Sequence, residues 1–114
     1  MSMPQIKQND EMYQLLRDEK IAEFNQRKAE GEVVDLTHCD LRSLDLRGID
    51  AKGVDFTGSY FRQTDLRGIN FSTSILQECS LNGAKISGAY FPKELTPAEI
   101  QMSLTHGTRM RYRD

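Results

Sequence analysis

The chain has 114 residues, 38% of them hydrophobic and 28% charged, with a formal net charge of −2. That suffices for one domain, not comfortably two, and is too apolar for a disordered chain. The even charge excludes a strongly basic nucleic-acid binder and a strongly acidic nucleic-acid mimic.

No apolar run approaches a membrane span, and the stretch Met1-Ser2-Met3-Pro4-Gln5-Ile6-Lys7 holds no signal-peptide core. With two cysteines, the expectation is a reducing, cytoplasmic setting with no membrane association. Residues 1–33 form the first segment, and residues 10–30 within it read as one helix. Asp10 and Glu11 stand at its start, Arg27 and Lys28 at its end, and Gly31 just beyond. Met12, Tyr13, Leu16, Ile21 and Phe24 fall on one broad face, and Glu23 and Arg27 form an i,i+4 pair.

Residues 34–93 carry an internal repeat of five. The residues Leu36, Leu41, Leu46, Ala51, Phe56, Phe61, Leu66, Phe71, Leu76, Leu81, Ile86 and Phe91 are all apolar. Two places before each stands a residue that is apolar or small and uncharged, from Val34 and Cys39 through Ser59 and Thr64 to Cys79 and Ala89. Between the two stands most often Asp or Asn, and glycine recurs two places after the large residue. A period of five matches neither a helix nor a plain strand. It fits a short extended piece with two inward side chains, followed by a bend. Identical bends wind a coil, and stacked coils share a core.

The units Cys39-Asp40-Leu41-Arg42-Ser43, Leu44-Asp45-Leu46-Arg47-Gly48 and Thr64-Asp65-Leu66-Arg67-Gly68 resemble the pentapeptide-repeat family. The resemblance implies an all-β solenoid, a right-handed quadrilateral β-helix with four pentapeptides per coil. Twelve pentapeptides then give three coils, with helical caps at both ends. It also implies a bacterial source. The Phe24-Asn25 helix end resembles the N-terminal caps of some members. Leu44, Ile49, Ile69, Val34 and Val54 are larger than the family usually carries at the small site, so a distorted core is expected near the first coil, with Ala51 compensating for Ile49.

The third segment is residues 94–114. Thr96-Pro97-Ala98-Glu99 reads as a capping box with proline at the first helical position, Leu95 and Ile100 as its hydrophobic staple, and Gly107 as the stop. Ile100 and Leu104 share a face that must pack on the last coil or on a second chain. In the tail, Arg109, Arg111 and Arg113 alternate with Met110 and Tyr112.

Chemistry is sparse. His38 and His106 read as solvated, no metal-ligand or phosphate-loop spacing occurs, and no catalytic residue, cofactor or metal is expected. Cys39 and Cys79 lie two coils apart on one face, about 10 Å from each other and too far for a disulfide. The candidate partner-binding residues are Arg42, Arg47, Arg62 and Arg67 on the coils and Arg109, Arg111, Tyr112 and Arg113 in the tail. The expected function is a non-enzymatic protein–protein interaction or scaffold module with an unidentified protein partner, and direct nucleic-acid binding is not expected. The resemblance implies an alternative, regulation of DNA gyrase or topoisomerase by DNA mimicry. Members that dimerise do so through C-terminal segments, which implies a homodimer through that end.

Overall fold

The computed structural model describes residues 3–113. Its helices are α1 (Glu11–Arg17), α2 (Ile21–Ala29) and α3 (Pro97–His106). Between α2 and α3 the chain pairs with itself at an interval of twenty residues. Parallel bridges join Asp40 to Tyr60, Tyr60 to Ser80, Asp45 to Asp65, Asp65 to Lys85, Asp55 to Ile75 and Asn70 to Tyr90. Each is a single bridged pair, so among the described residues the expected strands are bridges rather than continuous strands. The reason is the bend in every pentapeptide: only two or three residues stay extended before the chain turns. The rungs are regular. The Leu41 amide donates to the Tyr60 carbonyl at 2.9 Å, Phe61 to Ser80 at 2.8 Å and Phe71 to Tyr90 at 2.8 Å.

Two devices make the bend. The Asp or Asn of most units accepts a hydrogen bond from the backbone amide two residues on, as in Asp35 to Thr37, Asp40 to Arg42, Asp45 to Arg47, Asp65 to Arg67 and Asn70 to Ser72. This is the Asx turn that those side chains favour. The unit then ends in a residue with positive φ, such as His38 (54°), Ser43 (60°), Gly58 (75°) or Glu78 (65°). Glycine suits this place at Gly58 for a second reason, because a Cβ there would overlap the His38 ring one coil away as it now stands.

The large residues of the repeat fill the core. Leu36, Leu41, Phe56, Phe61, Leu66 and Leu81 are fully buried. Phe56, Phe61 and Phe71 meet at centroid distances of 5.3, 5.7 and 6.0 Å, edge-on or tilted rather than stacked. The small inward site has a task that its size alone does not reveal. Ser59 donates to the Leu36 carbonyl, Thr64 to Leu41, Ser74 to Ala51 and Cys79 to Phe56. Each side chain satisfies a buried carbonyl of the preceding coil. Irregularity falls between the first and second coils, where no bridge joins Asp50 to Asn70 among the described residues. The Gly53 amide there donates to the Thr73 hydroxyl at 3.2 Å.

The expected single helix over 10–30 is two helices. Asp18 caps α1, and Glu19 follows in the left-handed region at φ 58°. The break is a local Schellman closure, with the Glu19 amide donating to Leu16 at 3.0 Å and the Lys20 amide to Leu15 at 2.8 Å, and the Glu19 carboxylate accepts from the Asp45 amide at 2.6 Å. Met12, Tyr13, Leu16 and Phe24 are buried as expected, Leu15 joins them, and Ile21 is half-buried. Arg27 lies 3.9 Å from Glu23, but closer to Glu11 and Glu32.

The cap seals the first coil rung by rung. Gln5 pairs with Cys39, donating to His38 and accepting from Asp40. The Asn25 carboxamide imitates a peptide unit, accepting from the Asp50 amide at 2.8 Å and donating to the Gly48 carbonyl at 2.9 Å. Tyr13 donates to the Asp40 carbonyl at 2.6 Å, and burial raises its pKa to about 12.

Truncating Phe56 to alanine is expected to cost about 3–5 kcal/mol, the range for a buried phenylalanine. The exposed Lys52→Ala change should stay within about 0.5 kcal/mol. Urea denaturation followed by circular dichroism measures both, and equal midpoints would refute the packing.

Candidate functional site

Arg42, Arg47 and Arg67 turn back onto the aspartate two residues before them. Each guanidinium forks its carboxylate through Nε and Nη2, at 2.8 and 2.7 Å on Asp40 and at 2.9 and 2.7 Å on both Asp45 and Asp65. Arg47 also reaches Asp65 across the coils at 3.4 Å. The forks hold Asp40 and Asp45 below the usual carboxylate range, and Asp65, forked by Arg67, at about 2. With their guanidiniums about half exposed, these pairs add little stability, but they fix long side chains in one geometry.

Arg62 differs because its unit has Tyr60 in place of the aspartate. Its guanidinium lies 4.3 Å from the centroid of the Tyr60 ring, and Arg109 lies 4.9 Å from the same centroid. Arg62 also donates to the Ser80 hydroxyl at 3.1 Å and the Gly107 carbonyl at 3.4 Å. The structure therefore divides the coil candidates. Arg47 and Arg67 share one acidic column. Arg42 and Arg62 line a cleft with Arg17, a residue the sequence did not single out. Arg17 falls inside the single helix expected over 10–30 and becomes the last turn of α1 only in the structure, where it meets the coil.

The tail candidates separate as well. Arg109 is half-buried, donating to the Gly58 and Glu78 carbonyls and to the Tyr60 hydroxyl. Met110 is fully buried and occupies the next rung: its amide donates to Cys79 at 2.9 Å and its carbonyl accepts from Glu78. The Tyr112 hydroxyl accepts from the Leu76 amide at 2.8 Å. The side chains of Arg111 and Arg113 remain exposed.

Helix α3 seats itself with a polar residue. Ser103 is fully buried, accepting from the Leu81 amide at 2.8 Å and donating to the Thr108 carbonyl at 2.7 Å. Ile100 and Leu104 are half-buried beside it. The N-cap bond from the Glu99 amide to the Thr96 hydroxyl forms at 3.2 Å, and Gly107 closes the helix at φ 72°. The Glu99 carboxylate accepts from the Arg111 amide at 2.8 Å, so that side of the capping box ties down the tail.

Among the described residues, no group of three His, Cys, Asp or Glu side chains could hold a metal ion, and no helix is long and apolar enough to cross a membrane. Both cysteines are free and buried. Burial pushes the Cys39 thiol up to about 11 and the Cys79 thiol higher.

The repeating Asx turn, inward pair and twenty-residue return have a counterpart among known proteins. The model of the family described as Pentapeptide repeats matches eight copies, over residues 34–58 and 55–91. The match spans just over half of the chain, which belongs to the pentapeptide-repeat family. No curated protein and no solved structure matches it.

With both folded-state pKa values raised, the thiols stay protonated at pH 8. A disulfide reagent is expected to modify the native protein at least about tenfold more slowly than the urea-unfolded protein. Equal rates would show that the cysteines are accessible.

Proposed function

We propose that the chain is a non-enzymatic protein-interaction module, a short rigid post that engages a protein partner through its arginine-bearing flank. In this reading residues 34–93 wind as the right-handed quadrilateral β-helix that the family implies, in three coils, between caps formed by residues 1–33 and 94–114. The carrying observation is the fixing of the flank's arginines. Arg42 is forked on Asp40, and Arg62 is held by Tyr60, Ser80 and Gly107. A surface already ordered loses little side-chain entropy on binding. Imitation of duplex DNA has less support, because the acids that would stand for phosphates are forked by arginines.

Immobilised protein is expected to retain a specific polypeptide from a native lysate, and Arg62→Ala is expected to lower that retention more than Arg67→Ala. Retention of nothing above a blank support, or inhibition of gyrase supercoiling by the purified chain, would overturn the reading.

A second reading rests on the C-terminal end. The cap takes the amides of Leu76, Glu78, Leu81 and Gly83. Beyond these, Ile86 and Phe91 are only half-buried, and Tyr90 and Met102 are 66% and 45% exposed. This uncovered part supports a homodimer through the C-terminal end. Tyr90→Glu and Met102→Glu, both on the exposed surface, should then reduce a dimer to a monomer by light scattering. A wild type that is monomeric at high concentration would refute it.

A further inference from the structure

The cleft holding Arg17, Arg42 and Arg62 has a volume of about 440 Å³, with Asp40 the single acid on its wall. Three fixed cations thus face one anion, and that anion is already answered by Arg42. Each guanidinium is held from behind. Arg17 donates through Nη1 to the carbonyls of Asp40 and Arg42. Arg42 spends Nε and Nη2 on Asp40, and Arg62 spends Nε and Nη2 on Ser80 and Gly107. Among the described residues, each retains a terminal nitrogen without a protein acceptor: Nη2 of Arg17 and Nη1 of Arg42 and of Arg62. Ser43 and Gln63 add polar groups to the same wall.

Arg42 and Arg62 occupy equivalent places on adjacent coils, bridged at Asp40 and Tyr60. Their backbones are therefore about 4.8 Å apart, one strand spacing. Like charges so placed repel, and an anion between them removes the repulsion. A planar carboxylate is satisfied by one fork, as Asp40 already shows. A tetrahedral dianion presents three terminal oxygens and can answer three guanidiniums.

We propose that this cleft binds a phosphate monoester dianion, either free or carried on a phosphoserine or phosphothreonine. The proposal deepens the interaction-module reading and rests on it. A nucleic-acid backbone fits less well. Its diesters carry one charge each, so a single phosphate of the backbone answers fewer of the three guanidiniums than a monoester dianion does.

The test is an amide and arginine-Nε NMR titration of the full chain at constant ionic strength. The probes are inorganic phosphate, phosphoserine, a short phosphoserine peptide, acetate and a single-stranded oligonucleotide. Saturable shifts at Arg17, Arg42, Ser43, Arg62 and Gln63 are expected with the first three and none with acetate. Arg17→Gln and Arg62→Gln should each weaken phosphoserine binding by about fivefold or more, while Arg67→Gln leaves it unchanged. A peptide that binds about tenfold more tightly than free phosphoserine assigns the ligand to a modified protein. Equal affinities assign it to a small phosphorylated molecule. Absence of saturation, equal losses in Arg62→Gln and Arg67→Gln, or tighter binding of the oligonucleotide per phosphate would overturn the proposal. Release of inorganic phosphate from phosphoserine, followed by ³¹P NMR in the same tube, would overturn the non-enzymatic reading and leave the ligand class standing.

Discussion

A chain that hydrogen-bonds to itself twenty residues later satisfies much of its backbone from one circuit to the next, but not at its two ends. There a full circuit of amides and carbonyls faces outward, beside the edges of an apolar core. Leaving such groups buried and unpaired costs about 1–3 kcal/mol each, and leaving them exposed offers an edge for other chains to join. Most of the sequence outside the repeat meets this constraint. At the first coil the answers are the Gln5 backbone, the Glu19 carboxylate and the Asn25 carboxamide. At the last coil they are the Met110 backbone, the Ser103 and Tyr112 hydroxyls and the Leu104 carbonyl. Neither cap adds a regular strand. Each assembles a substitute for one from unlike chemical groups.

The repeat was legible because its rule is local. A large apolar residue every fifth place, an Asx-turn former before it and a left-handed residue after it can be read off any single unit, and the core phenylalanines follow directly. The caps were less legible because their bonds join distant parts of the chain. Glu19 reads as a solvated helix residue, yet it takes a left-handed conformation that ends α1 and its carboxylate meets the Asp45 amide. Ser103 gives no apolar signal, yet it is the residue by which α3 is seated. Arg17 escaped attention for the same reason: its meaning depends on a corner twenty-five residues away.

Charge is used on this surface chiefly to set shape. An arginine two places after an aspartate closes a fork over the Asx turn, so a basic side chain that looks wholly available in the sequence has spent its Nε and Nη2 at its own corner. Arg62 escapes this fate because Tyr60 replaces the acid, and the tyrosine then gathers Arg62 and Arg109 around its ring. One substitution in the repeat thereby converts a neutral column into a place where positive charge collects.

Among the described residues the helices of the two caps do not touch, since only α1 and α2 are in contact. Their relative orientation is transmitted wholly by the phase of the coils between them. Duplicating twenty residues, such as 54–73, would lengthen the molecule by one layer and keep both ends in register with their faces. Inserting five would rotate one end by a quarter of a circuit against the other and present Ser103 and Asn25 to altered rungs. The length of this protein is therefore quantised in whole circuits unless a cap is rebuilt at the same time.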